Sequence, residues 1–152
     1  MEKQAIMDFF KQQLGQDTSR YSLPPPVFEL MKGEFIEIDL AAGWIRCRFE
    51  NLDIFQNPFG VMQGGMVATA VDNTLGPLSM LVAPANVTRR LEMKYSLPVT
   101  EDVEHLYVEA RLKARHGRKL YFNAEVRDQR GRLLARGQAF HWIIAEEEQK
   151  PG

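Results

Sequence analysis

The stretch Asn57–Gly76, NPFGVMQGGMVATAVDNTLG, decides how this chain is read. It opens with the loop residues Asn57, Pro58 and Gly60 and passes through a glycine pair, Gly64 and Gly65. It then becomes a run of small and apolar residues carrying one acid, Asp72. A glycine pair at a helix start bares backbone N–H groups at the positive end of the helix dipole, where a ligand oxygen can approach. A carboxylate two turns into an otherwise apolar helix is costly to bury without a partner or a use. The pattern predicts a helix from about Gln63 to Leu75 or beyond. Pro77 is expected to end or kink it, because proline lacks the N–H and crowds the preceding turn.

Downstream of Asn86 the chain reads as strands. Leu91, Met93, Tyr95 and Leu97 alternate with charged or polar residues, as do Leu106, Val108, Ala110, Leu112 and Ala114. Leu120, Phe122, Ala124 and Val126 repeat the pattern, and a last strand runs over 133–144. Short turns join the last three, so they are expected to be antiparallel neighbours. Upstream, Ile36, Ile38 and Leu40 alternate with Glu37 and Asp39. Ile45, Cys47 and Phe49 alternate with Arg46, Arg48 and Glu50, predicting a hairpin about Ala42-Gly43. A half-polar antiparallel sheet needs an apolar layer on its other face, and the helix at 63–76 is the only long, nearly uncharged one. The expected fold is α+β, a curved antiparallel sheet wrapped around a central helix.

The first 32 residues form an expected helical extension to a single domain spanning 1–152. Ile6, Phe9, Phe10 and Leu14 have helical spacing with Gly15 as a stop, and three prolines, 24–26, introduce a short turn over Val27–Met31. At 45% hydrophobic and 26% charged, with a formal net charge of -1, the chain offers no electrostatic case for binding nucleic acid or an anionic membrane. No apolar run approaches the ~20 residues of a membrane span, and the charged N-terminus is unlike a signal peptide. The lone Cys47 rules out an internal disulfide framework and suits a reducing compartment, so a cytoplasmic protein is expected. No His/Cys cluster has metal-ligand spacing, so no metal or other cofactor is expected. Cys47, within a strand, is expected to be core.

Gly64 and Asp72 can be read as one site. The Gly64 amide can polarise a carbonyl, and Asp72 can act as nucleophile or as general base on water. Eight residues of helix span ~12 Å, whereas both groups must lie within ~3 Å of the reacting atoms. One chain cannot satisfy this. In a two-fold dimer with antiparallel helices, Gly64 of one chain faces Asp72 of the other, and two identical sites result. A purely structural reading also fits: the glycines permit close packing and Asp72 makes a buried hydrogen bond.

The stretch and the order of elements resemble the hotdog-fold acyl-CoA thioesterases, in the phenylacetate-pathway (PaaI-like) and 4-hydroxybenzoyl-CoA thioesterase branch. That family carries N-x-x-G-x-x-H-G-G with an acid nine residues after the His. Here stand Asn57, Gly60, Gln63, Gly64, Gly65 and Asp72. TRRLEMKYSLP (88–98), Gly117 in HGRKL and RDQRGRLLARGQ extend the likeness over 33–144. The resemblance implies hydrolysis of an acyl-CoA by a homodimer or homotetramer. Gly64 would polarise the thioester carbonyl, with Gln63 and Gly65 bordering the substrate. Asn57 would orient substrate or water, and Asp72 of the partner would be the nucleophile or base. Thr88 would hold water beside that acid, and Arg118, with Arg115 and Lys119, would meet the coenzyme A phosphates.

Gln63 stands at the family's His position. Gln donates and accepts hydrogen bonds but does not transfer protons near neutral pH, so a non-catalytic acyl-CoA-binding or regulatory protein of the same fold is the alternative. A hydratase of this fold would want a His–acid pair, and His105, His116 and His141 read as structural or surface groups. Phe55, Phe59, Met62 and Met66 read as core more readily than as a pocket lining.

Overall fold

A computed structural model describes residues 3–14 and 22–144. Helix α1 (Lys3–Leu14) and the short α2 (Pro26–Leu30) precede a hairpin of β1 (Glu34–Asp39) and β2 (Trp44–Glu50). A 3-10 turn (Asp53–Phe55) leads into α3 (Gly64–Val82), followed by β3 (Asn86–Tyr95), β4 (His105–His116), β5 (Lys119–Arg127) and β6 (Leu133–Ile143). The six strands form one sheet in the order β1-β2-β4-β5-β6-β3, and every pairing is antiparallel. The hairpin and the β4-β5-β6 meander match the sequence expectation.

The period-2 residues face α3. Ile45, Cys47 and Phe49 of β2, Leu106, Val108 and Ala110 of β4, and Leu120, Phe122, Ala124 and Val126 of β5 are all buried. They join Val67, Ala70, Val71, Leu75 and Leu78 of α3 in one core. Burial pushes the Cys47 thiol up to about 12, so it stays an uncharged apolar filler. This is the hotdog architecture the resemblance implied. Among the described residues no helix is long and apolar enough to cross a membrane.

Local readings are sharpened at three places. α3 runs beyond Leu75, and of the two outcomes expected at Pro77 an end is ruled out: the helix continues five residues to Val82. An interior proline costs about 3 kcal/mol. Leu78 and Leu81, both buried beyond it, each recover roughly 1.5–3 kcal/mol, so packing outweighs the break. In β1 a bulge between Phe35 and Glu37 breaks the expected alternation. Phe35, rather than Ile36, joins Ile38 against the core. In α2 Phe28 alone is buried, Leu30 is exposed, and Met31, just past the helix, is buried.

The extension is stitched on by aromatic rings. Phe10 of α1 meets Phe35 at 5.7 Å, Phe35 stacks on Phe28 at 4.8 Å, and Phe28 meets Phe49 of the main core edge-on at 5.5 Å. Ile6 and Phe10 also pack on Leu81, which sets α1 over the C-terminal half of α3. The stop expected at Gly15 lies outside the described residues.

Candidate active site

Gly64 is the first residue of α3, and its N-cap Gln63 contributes no side-chain cap. The Gln63 N–H donates to Phe55 O at 2.8 Å, and the N–H groups of Met66 and Val67 both donate to Gln63 O, at 2.8 and 3.2 Å. The N–H groups of Gly64 and Gly65 have no helical acceptor before them and remain available to a ligand. The Tyr95 hydroxyl of β3 donates to Gly64 O at 2.6 Å. A Cβ on Gly64 would sit 3.2 Å from that ring, so the close approach asks for glycine. Burial pushes the Tyr95 hydroxyl above its ordinary value and keeps it a donor. An open groove of about 320 Å³ runs past Gly64, Tyr95 and Leu97.

Asn57 organises the loop before the helix. Its Oδ1 accepts from Phe59 N at 2.9 Å and Val61 N at 3.2 Å, and its own N–H bonds Val61 O at 2.7 Å. Gly60 makes the turn at φ 75, a conformation that favours glycine. The carboxamide oxygen is thereby committed to the loop, and only the Nδ2 amide is left to turn toward a substrate. Phe55 and Met62 are core and Met66 packs against it, whereas Phe59, at 89% exposure, is not core. Its place at the loop tip has no apolar layer to receive it.

Asp72 is exposed on the single chain, and its face of α3 also shows Gly65. The Thr88 hydroxyl of β3 lies 3.3 Å from Asp72 Oδ1. Thr88 turns inward because of a bulge between Thr88 and Arg90. Leu91 and Met93 pack on the core, so strict alternation would put Thr88 on the outer face. The bulge shifts the parity by one and aims it at the helix.

Opposite Thr88 in the register stands His141 of β6, buried at 2% exposure. His141 Nε2 is 3.3 Å from Thr88 Oγ1, and its Nδ1 is 2.8 Å from Asn86 Oδ1. Asn86 Nδ2 donates to Ser79 O and Pro84 O, which makes Asn86 Oδ1 the acceptor and assigns the imidazole proton to Nδ1. Burial lowers the His141 pKa, partly opposed by the Asp72 charge, so the ring is neutral near pH 7 and Nε2 is an acceptor. Asp72, Thr88, His141 and Asn86 thus stand in one row, with the single Thr88 proton donated to Asp72 Oδ1 and His141 Nε2 the second acceptor within reach. Sequence reading set His141 aside as structural or surface; its partner Thr88 is 53 residues away, and no periodicity links them.

Arg118 lies in the β4–β5 turn and its carbonyl accepts from Ile143 N at 2.8 Å. This puts it at the same end of the sheet as Thr88 and His141, two strands from β3. Arg115 Nε is engaged by Gly117 O at 3.3 Å. A groove of about 360 Å³ elsewhere is lined by residues already paired, Arg46 with Glu109 at 2.9 Å and Arg127 with Glu125 at 2.8 Å. It touches neither Asp72 nor Gly64. Among the described residues no group of three or more His, Cys, Asp or Glu is gathered as a metal site.

The family model described as the thioesterase superfamily matches residues 59–135. No curated protein sequence matches the chain significantly. The fold is similar to a phenylacetic acid degradation-related protein of Ralstonia eutropha, 25% identical, TM-score 0.75, over 89% of this chain and 98% of that one. It is also similar to the PaaI protein of the Escherichia coli phenylacetic acid degradation operon, 12% identical, TM-score 0.75, over 90% and 96%. A Streptococcus mutans protein solved with acetyl-CoA is 17% identical, TM-score 0.68, over 74% and 89%. With the family model spanning the glycine pair, the central helix and most of the sheet, the chain belongs to the thioesterase superfamily and is a thioester hydrolase of the hotdog fold.

Proposed function

We propose that the protein hydrolyses acyl-CoA thioesters at sites completed by two subunits. The observation that carries the reading is the contact of Asp72 with Thr88, itself backed by His141. It provides a base, a water-holding hydroxyl and a fixed acceptor in one row. The thioester carbonyl lies against the Gly64 N–H of one protomer, and Asp72 of the partner acts as general base. The Thr88 hydroxyl carries one proton. At rest it is donated to Asp72 Oδ1; when a water takes that carboxylate oxygen, the Thr88 proton turns to His141 Nε2 and the hydroxyl's lone pairs hold the water. Water attacks the carbonyl carbon as Asp72 takes its proton, and the developing oxyanion is held by the Gly64 N–H and the helix dipole. Collapse expels the coenzyme A thiolate, which takes the proton back from Asp72. Acid and free thiol leave.

Support for the two-chain arrangement comes from length and exposure. The ~12 Å between Gly64 and Asp72 along α3 still separates them in the folded chain. Asp72 and Gly65 are exposed on the helix that is otherwise the heart of the core, and β3 is an edge strand beside them. Asn57 Nδ2 is assigned to orienting the substrate, and Arg118 to the coenzyme A phosphates. The Streptococcus mutans protein solved with acetyl-CoA supports the coenzyme A half of the substrate. Gln63 motivates the non-catalytic alternative, but its backbone N–H already ties the turn to Phe55, which supports a turn that does not depend on an imidazole.

The test is release of free thiol from a panel of acyl-CoAs by wild type and Asp72→Ala. Turnover of at least one member, falling by about 10²–10⁴-fold in the variant, is expected. Tight binding without thiol release would instead favour the binding-protein reading.

A further inference from the structure

The assignment above leaves the N-terminal extension without a task and the acyl group unspecified. Both questions meet at one place. Where α1 and the Leu23–Pro25 turn lie over the C-terminal half of α3, a cleft of about 100 Å³ remains. Met7 and Phe10 line it from above, Pro24 and Pro25 from the side, and Gly76 and Met80 from α3 below. Asp72 stands at its wall and is its only ionisable lining residue. Every other side chain there is apolar except the neutral Asn73.

We propose that this cleft receives the acyl group of the substrate and selects short, uncharged, apolar ones. The inference rests on the assignment of Asp72 to the thioester carbonyl. The carbon chain bonded to that carbonyl must leave from the vicinity of Asp72, and the apolar surface that begins there is this cleft. An acyl group ending in a carboxylate meets no cation within it, only the like charge of Asp72 at its wall, and pays the full cost of desolvation. The volume sets the length. A dry apolar cavity of about 150 Å³ holds one benzene, so this smaller cleft seats roughly the first four carbons of a chain, about two methylenes more than an ethyl group offers. A long chain must displace α1. On this reading the extension is the specificity wall of the site.

Two thioethers, S-ethyl- and S-hexyl-coenzyme A, test the proposal because neither can be hydrolysed. Wild type should bind the hexyl compound on the order of tenfold more tightly than the ethyl one. Gly76→Leu fills the cleft without a backbone clash, since a Cβ at Gly76 has no atom within 4 Å, and should erase the preference. Met80→Ala enlarges it and should extend the preference to S-dodecyl-coenzyme A. The ratio of kcat/KM for hexanoyl-CoA over acetyl-CoA should fall in the first variant, and that for dodecanoyl-CoA over acetyl-CoA should rise in the second. Equal binding of the two thioethers by wild type, or a preference unmoved in both variants, overturns the cleft. A thioether preference that Gly76→Leu erases, with no thioester hydrolysed, would leave the cleft standing and remove the hydrolytic reading instead.

Discussion

The Thr88 hydroxyl has one proton and two acceptors, Asp72 Oδ1 and His141 Nε2, each 3.3 Å away. Which acceptor takes it depends on His141. Thr88 donates to Asp72 Oδ1 at rest; a neutral ring offers Nε2 as the alternative acceptor, so that a water can take the place of Thr88 at the carboxylate, whereas a protonated ring donates to Thr88, locks its proton on Asp72 and blunts the acid as a base. His141 is therefore a positioning residue in the proposed reaction. His141→Leu should lower kcat by about tenfold with little change in KM and should remove the acid limb of the pH profile contributed by the ring. The sign for stability follows from the same group. Burial holds the folded-state pKa below the ordinary 6.5, so between the two values the unfolded chain binds a proton that the folded one refuses. Stability from this residue is complete above about pH 6.5 and is lost as pH falls below it. Thermal melts between pH 7 and 5 should show that loss in wild type and a shallower slope in His141→Gln. Gly64→Ala should cut turnover, because its methyl must push aside the Tyr95 ring 3.2 Å away and with it the carbonyl-binding amide. An intact kcat in that variant would count against the assignment.

Among the elements, α3 shows how packing overrules local preference. Pro77→Ala restores one helix bond worth part of the ~3 kcal/mol proline penalty and removes a buried ring worth about 2 kcal/mol. The variant should be about 1 kcal/mol more stable by urea titration; a large destabilisation would mean that the proline ring's own packing dominates. Phe28→Ala should cost about 3–4 kcal/mol, since Phe28 is buried and couples Phe35 to Phe49. The regular strands were legible because β2 and β5 alternate without interruption and β4 does so as far as Leu112, where its register on β5 shifts. The bulges in β1 and β3 were not. An extra residue in a strand changes no composition and leaves each flanking segment in phase with itself, while the parity between the segments flips.

At the level of the assembled molecule, the test is complementation. If each site takes Asp72 from one protomer and Gly64 from its partner, a heterodimer of Asp72→Ala with Gly64→Val has one doubly damaged site and one intact one. Two nearly inactive homodimers, dissociated and reassembled at random, should recover about a quarter of wild-type activity. No recovery, with mixed dimers demonstrated by mass, would sink the shared site. The same experiment requires a dimer in solution, which light scattering of the wild type checks directly.

The chain's linear order settled a good deal. The spacing of Asn57, Gly64 and Asp72 carries the family, and the period-2 strands about one uncharged helix carry the fold, because both signals are local and repeat at fixed intervals. Helix rise alone also separates Gly64 from Asp72. Other features depend on which strands become neighbours. His141 enters the site only through the register of β3 on β6, the bulge by which Thr88, already named from the resemblance, reaches Asp72 appears only in the fold, and the cleft beside Asp72 exists only where α1 folds back over α3. These are contacts between residues far apart in the chain. Their pairing is chosen by burial of the whole core, and no stretch of sequence read alone contains it.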